Sequence, residues 1–235
     1  MKRIDCRLIV FAKAPISGQV KTRLIPSMGA SAAVALHEKL VFHCLATAVK
    51  THVGPVDLWC APSARHPFFI HCRRKFQVEL HNQPNGDLGR RMAFAFSKTL
   101  KRASSAILIG TDCPSLTQAD LKEAAEILAQ GFDAVIGPAE DGGYVLLGLR
   151  HYAPDLFSGI SWGTNRVMEK TRLRLRRLKW RWHELPERWD VDRPEDLERL
   201  MTEGHLKSTL RLPSINAGAC SGLTLSGALH TTLKG

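Results

Sequence analysis

Two stretches constrain the architecture before anything else: RLIVFA at 7–12 and AILIG at 106–110 are apolar almost without interruption. A strand with one wet face alternates, whereas a strand covered on both faces reads as a continuous apolar run, the mark of a parallel sheet between helices. Further strand-like runs occupy 55–60, 76–81, 133–137 and 144–149, with another near 180–185. Helical patterns at 30–50, 88–102, 117–130 and 164–178 fall between them, and a short helix is expected at 194–203. This alternation predicts a three-layer α/β/α fold around a mostly parallel mixed sheet.

Local signals support those bounds. Thr117 and Asp120 make a T-x-x-D capping box at the head of one helix. DRPED at 192–196 offers Asp192 as a cap and Pro194 in the first turn of another. No internal repeat is present. From 205 onward charge periodicity fades and Ser, Gly and Thr accumulate, so 1–204 reads as the folded domain. Residues 205–235 read as a loosely packed or disordered tail.

A chain of 235 residues with 44% apolar and 23% charged residues can bury a core without covalent staples. No apolar run approaches the roughly 18–20 residues of a membrane helix. The apolar stretch near the N-terminus is shorter than the roughly 7–15 residues of a signal peptide, which leads to a cytoplasmic expectation. Cysteines at 6, 44, 60, 72, 113 and 220 form no C-x-x-C pair, as expected of reduced thiols. His37 and His43, six apart in a helix, fall on different faces and make no metal cluster.

The formal charge of +11 draws anions. Much of it sits in TRLRLRRLKWRWH at 171–183, whose cations follow no single helical face. A helix end running into a surface strand explains this run better than a nucleic-acid patch, so nucleic acid is disfavoured as a partner.

In open α/β sheets ligands bind beyond the carboxyl ends of the strands. The first strand runs into FAKAPISGQVKTRL, which gathers Lys13, Lys21 and Arg23 around Gly18. Either this is a solvated turn, or cations and backbone N–H groups face a phosphate. The loop is neither G-x-G-x-x-G nor the Walker phosphate loop, which argues against a dehydrogenase or an ordinary ATPase. Asp112, after the strand at 106–110, closes a turn or holds Mg²⁺ or Mn²⁺ through oxygen. Asp190 and Asp192 pose the same choice, and Asp141 with Gly142 and Gly143 makes a tight turn or a ligand contact. Gly86 and Gly89 precede or open a helix whose first turn carries Arg90 and Arg91, where the dipole disfavours cations unless an anion is near.

Six ordered motifs then stand out: FAKAPxxGxVKTRL (11–24), GDLGxRM (86–92), IGTDCPxLT (109–117), GPAxDGGYxLxGL (137–149), WGT (162–164) and DVDxPEDL (190–197). Over residues 6–203 they resemble the bacterial GT-A-fold glycosyltransferase-like proteins, some of the arsenosugar-biosynthesis type. These are in turn similar to the molybdenum-cofactor and 2-phospholactate nucleotidyltransferases. The resemblance implies a nucleotide-diphospho-sugar transferase fold, Rossmann-like, and a nucleotide ligand. By position it gives nucleotide and phosphate roles to Lys13, Gly18, Lys21, Arg23, Gly86, Asp87 and Gly89. It puts Asp141, Gly142, Gly143 and Tyr144 on the sugar or acceptor side, and Asp112 and Asp192 on a Mg²⁺ or Mn²⁺ ion. Asp112, Asp141 and Lys21 would carry catalysis. Arg193 departs from the family pattern, which usually has Thr there.

The activity so implied is metal-dependent glycosyl transfer from a nucleotide-sugar to a small-molecule acceptor. The alternatives are nucleotidyl transfer from an NTP to a phosphorylated or sugar-like acceptor, and a non-catalytic nucleotide or nucleic-acid binding module. Donor base, acceptor and oligomeric state are not written in these residues.

Overall fold

A computed structural model describes residues 5–203. The first half of the chain builds β1 (Cys6–Lys13), a short α1 (Ile25–Met28), α2 (Ala30–Lys50), β2 (Val56–Ala61), α3 (Pro67–Phe76), β3 (Glu79–Asn82) and α4 (Leu88–Thr99). The second adds β4 (Ser105–Ile109), α5 (Gln118–Ala129), β5 (Ala134–Pro138), β6 (Tyr144–Leu149), α6 (Val167–Leu178), β7 (Trp182–Glu184) and α7 (Pro194–Glu203). The strands form one sheet in the order β3-β2-β1-β4-β6-β5-β7. All pairings are parallel except those of β6, which runs against β4 and β5. The expected mostly parallel mixed sheet between helices is therefore what forms.

The two apolar runs are the neighbouring strands β1 and β4 at the centre of the sheet. Side chains alternate between faces, so each strand feeds two cores. Leu8, Val10, Leu58, Ile107 and Leu146 pack with Val41 and Leu45 of α2, Phe69 of α3 and Leu121 of α5. Ile9, Trp59, Leu108, Ile136 and Leu147 pack with Phe96 of α4 and Met168 and Leu175 of α6. Helix α2 is 21 residues long and apolar enough to cross a membrane by length and composition, but here Leu36, Leu40, Val41 and Leu45 are buried inside the protein. A third cluster joins Leu24, Leu36 and Leu40 to Trp189, Val191, Leu197 and Leu200. It clamps the segment before α7 onto the turn after β1.

Several boundaries differ from the sequence expectation. The strand expected at 76–81 begins only at Glu79, because Phe76 ends α3, a helix absent from the sequence expectation. Pro67 opens that helix, His66 caps it through Phe68 N–H, and Gln77 terminates it in the left-handed conformation. Helix α6 starts at Val167 rather than 164. Asp192 does not cap α7 through its carboxylate. The carboxylate of Asp196 accepts from the N–H groups of both Asp192 and Arg193 instead. The box of Thr117 and Asp120 forms as expected. So does the helix-to-strand reading of the basic run: Arg172 pairs with Glu184 at 2.7 Å, and Arg181 lies over the Phe132 ring. The expected tail, 205–235, lies outside the described residues.

Candidate active site

Parallel pairing puts the ends of β1 and β4 side by side, and antiparallel β6 returns its first residue to that same edge. The turn after β1, the loop after β4, the β5–β6 turn and the segment after β7 consequently meet there. Hydrogen bonds stitch them together. Val191 N–H donates to Asp112 C=O (2.8 Å), Ser115 Oγ–H to Trp189 C=O (3.1 Å), and Glu140 N–H to Arg188 C=O (3.1 Å).

Lys21 is the pivot. Its backbone is left-handed, at φ 49°, as it enters the turn Thr22–Leu24. Its side chain, 4% exposed, sends Nζ to Asp112 Oδ1 at 2.5 Å and donates to Val191 C=O at 2.6 Å. The ammonium is thus engaged inside the protein. Asp112 is 52% exposed, so its carboxylate is held from behind and open in front. The protein packed behind it strips water from the Asp112 carboxyl and by itself would push it up. Lys21, with His37 and Lys13 behind it, outweighs that and holds it below the usual carboxylate range. His37 Nε2 sits 2.9 Å from Lys13 C=O, and burial lowers its pKa, which favours the neutral ring.

Arg23 and Asp192 form an ion pair whose members remain 65% and 43% exposed. On one side of the pair lies a cavity of about 590 Å³ into which Lys13, Lys21, Arg23 and Arg91 bring positive charge, beside Asp112 and Asp192. On the other lies a cavity of about 520 Å³ whose wall includes Glu140, Asp141, Asp190, Asp192 and Asp196. Arg23 and Asp192 belong to both. In the acidic cavity the Asp190 carboxyl is pushed up to about 6, first by burial and then by the charges of Asp141 and Asp112.

The β5–β6 turn is locked into this wall. Asp141 Oδ1 accepts from Gly143 N–H at 2.8 Å. Gly142 has φ 85°, and a Cβ there would lie 2.4 Å from Asn165 C=O. Only glycine lets the turn press against the 163–165 loop, which lines the same cavity.

The structure therefore brings Lys13, Lys21, Arg23, Asp112 and Asp192 together, with Asp141 in the adjoining cavity. Other expected residues sit apart. Gly18 turns at φ 75° in the same loop without lining either cavity. Asp87 caps α4 through Arg90 N–H, and Gly86 C=O accepts from Arg91 Nε–H. Gly89 lies under Trp162, whose Nε1 would be 2.3 Å from an added Cβ. Tyr144 meets Met92 at 3.9 Å and Trp162 edge-on, and burial raises its phenol. The structure also separates two arginines that the sequence offers as equals: Arg91 lines the cationic cavity and Arg90 does not. Gln83 and His37 join that lining, each positioned by backbone carbonyls that no motif announces.

Asp112 and Asp192 offer hard oxygen donors half open to solvent, a donor set that fits Mg²⁺ or Mn²⁺. A trio at Asp57, Glu79 and His81 also has its ligand atoms within 4.8 Å of one another. Its carboxylates, like Asp112 and Asp192, already face cations: Arg7 reaches Asp57 at 2.6 Å and Glu79 at 3.3 Å, and Arg102 reaches Glu79 at 3.0 Å. The difference is that Asp57 is buried where Asp112 is half open.

Against this geometry the likenesses to known proteins can be set. A protein of Desulfovibrio desulfuricans G20, assigned as a nucleotide-diphospho-sugar transferase, is similar with 30% identity and TM-score 0.78, over 88% of this chain and 91% of its own. A cytidylyltransferase from Leptospira borgpetersenii shares the fold at 14% identity and TM-score 0.59, covering 88% of each chain. The CMP:2-keto-3-deoxy-manno-octonic acid synthetase, solved with CTP, does so at 12% identity and TM-score 0.57, over 86% of this chain and 99% of its own. No curated protein matches the sequence. Residues 44–164 match the family described as "Uncharacterized protein conserved in bacteria (DUF2064)", and the chain belongs to that family.

Proposed function

We propose that the protein is a nucleotide-using transferase that moves a sugar from a nucleotide-sugar to a small-molecule acceptor, with Mg²⁺ or Mn²⁺ at Asp112 and Asp192. The observation that carries this is the cation-lined cavity opening onto a carboxylate-lined one across Arg23 and Asp192. A diphosphate suits the first. Neutral sugar hydroxyls, which carboxylates accept well, suit the second. The names of three structural neighbours, a nucleotide-diphospho-sugar transferase, a cytidylyltransferase and a CMP-sugar synthetase solved with CTP, support the class.

In the reaction the bond from the anomeric carbon to the diphosphate oxygen breaks, and its electron pair leaves on the diphosphate. An acceptor hydroxyl oxygen bonds to the same carbon and gives up its proton. Asp190, a stronger base than an ordinary aspartate, is better placed to take that proton than Asp141, whose Oδ1 is engaged by Gly143. Lys13, Arg23 and Arg91 stabilise the charge that develops on the leaving diphosphate. Lys21 fixes Asp112, and Gly142 and Gly143 shape the acceptor wall. A bound divalent ion would neutralise the phosphates as a Lewis acid.

Nucleotidyl transfer from an NTP is the second reading, favoured by the fold shared with a cytidylyltransferase. The acidic cavity weighs against it, because a phosphorylated acceptor would meet five carboxylates against the two guanidiniums of Arg23 and Arg193. Kinship with arsenosugar-type glycosyltransferases, and through them with the molybdenum-cofactor and 2-phospholactate enzymes, belongs to this proposal too. So does a cytoplasmic setting, in keeping with the free, buried Cys6, Cys44, Cys60, Cys72 and Cys113.

The test is incubation with nucleotide-sugars and NTPs, with Mg²⁺ or Mn²⁺ and candidate acceptors, read by mass spectrometry. Release of a nucleoside diphosphate from a sugar donor is expected. Pyrophosphate from an NTP would replace glycosyl by nucleotidyl transfer. Binding without turnover of any donor would support a sensing module.

A further inference from the structure

The fold sorts the basic run at 171–183 into cations that are engaged and cations that are not. Arg172 is held by Glu184, Arg174 donates to Asp155 C=O, and Arg181 lies over the Phe132 ring. Among the described residues, Arg166, Lys170 and Arg177 have no ion-pair partner. Helix α6 buries Val167, Met168, Thr171 and Leu175 on one face. On the opposite face, at spacings of three and four, stand Arg166 at the N-cap, Lys170, Leu173 and Arg177, all exposed. A stripe of unpaired cations thus surrounds a leucine that is 41% exposed. Arg176 and Lys179, exposed as well, add charge at its C-terminal end.

Such a face needs a partner that offers negative charge and a place for an apolar side chain. Residues 204–235 carry Lys207, Arg211 and Lys234 and no Asp or Glu, so they offer no complement. A second copy would set like charges against each other across a two-fold axis. A nucleic-acid strand answers the cations but leaves Leu173 in water, and its bases need open rings to stack on. The tryptophans beside the stripe are engaged: Trp180 stands edge-on to His151 at 6.2 Å, and Trp182 Nε1–H donates to Glu184 at 3.0 Å. An anionic bilayer answers both needs, with phosphates for the cations and the boundary of headgroups and acyl chains for Leu173. Tyr152, 44% exposed, follows the His151 that meets Trp180, which sets a phenol, a side chain at home in that boundary, beside the end of α6.

We propose that the exposed stripe of α6, with Tyr152 beside its end, seats the protein on an anionic lipid surface. Binding is peripheral. The helix lies flat, Arg166, Lys170 and Arg177 meet lipid phosphates, and Leu173 enters the boundary beneath them. A single leucine buries too little area to hold neutral lipid, so attachment depends on negative charge and reverses with salt. None of these residues lines the cationic or the acidic cavity, and the proposal stands apart from the transferase reading.

The experiment is co-sedimentation of the full chain with vesicles of phosphatidylcholine alone, and with vesicles in which about a third of the lipid is phosphatidylglycerol. Binding to the anionic vesicles that is lost on raising salt, and no binding to the neutral ones, is expected. A cation at such a surface contributes about five-fold in partition, so Lys170→Gln combined with Arg177→Gln should weaken binding roughly 25-fold. Leu173→Ser should weaken it several-fold with no change of charge. Arg73→Gln combined with Arg74→Gln removes the same charge from exposed positions on α3 and should bind as the wild type does. Thermal melts check that each variant is folded, and the lipid and salt dependence of the wild type stands without them. No binding to anionic vesicles, equal binding to neutral ones, or an equal loss in the α3 variant would overturn the proposal. So would tight binding to single-stranded RNA that the α6 charge variant weakens and Leu173→Ser does not, which would make nucleic acid the partner.

Discussion

Arg23 and Asp192 lie 169 positions apart in the chain and pair across the boundary between a cationic and an acidic cavity. On the proposed function, Arg23 would meet a phosphate and Asp192 a cation. Their contact keeps both satisfied in the absence of ligand, at the modest strength of a solvent-exposed pair, about 0–1 kcal/mol.

If Arg23 meets the phosphates and Asp192 the cation, that pairing should make the two ligands cooperative. Phosphates that draw Arg23 away free the Asp192 carboxylate. Arg23→Gln should therefore tighten Mn²⁺ binding to the nucleotide-free protein by a few-fold, and weaken nucleotide diphosphate binding by roughly ten-fold. Paramagnetic resonance of Mn²⁺ and calorimetry would read the two effects. Weaker Mn²⁺ binding in the variant would contradict the coupling.

Lys21 and Asp112 form an unequal pair, one buried and one half open. Asp112→Ala leaves a buried ammonium facing one carbonyl, and should cost about 1–3 kcal/mol. Lys21→Met leaves a carboxylate that water can reach, and should cost less. Urea unfolding of both variants gives the comparison. Asp112→Asn should lower turnover roughly 100-fold or more if the carboxylate holds the reaction's cation.

Gly142→Ala should destabilise the protein by about 1–3 kcal/mol, since its φ of 85° strains a residue with a side chain and its Cβ would strike Asn165. The displaced 163–165 loop borders the acceptor cavity only. KM for the acceptor should rise while donor affinity holds, which steady-state kinetics in both substrates would show.

Acid sensitivity should pass through Asp120. Burial pushes its carboxyl up, but Arg188 at 2.6 Å and the Thr117 bonds outweigh this and hold it below the ordinary 3.8. A carboxyl depressed in the folded state contributes stability that is complete above its unfolded pKa and lost as pH falls through the folded one. The contribution should thus persist above about pH 4 and vanish below it. Asp120→Asn should flatten that acid limb in thermal melts across pH 2–6.

The parts of this architecture legible in the sequence are those governed by periodicity. β1 and β4 are continuous because both faces are covered, and α5 is bracketed by its own capping box. Helix α3 was hidden because its apolar residues Phe68, Phe69, Cys72 and Phe76 are interrupted by Arg73, Arg74 and Lys75, and only Pro67 hints at its start. At the site, the convergence of Lys21, Arg23, Asp112 and Asp192 was legible because all four follow strands on one edge. The direction in which each side chain points was not. Lys21 turns inward through one left-handed backbone step, Arg91 faces the cavity where Arg90 does not, and Gln83 is oriented by two distant carbonyls. These are products of packing that no local pattern encodes.

The apolar knot of Leu24, Trp189, Val191 and Leu197 sets an order of assembly. The cation-bearing turn is made within the first tenth of translation, yet the carboxylate opposite it arrives only when residues 189–200 close over that knot. On the proposed function, a chain without residues 189–200 would carry the cationic side of the pocket without Asp192. On that reading, competence would wait until α7 docks on this knot.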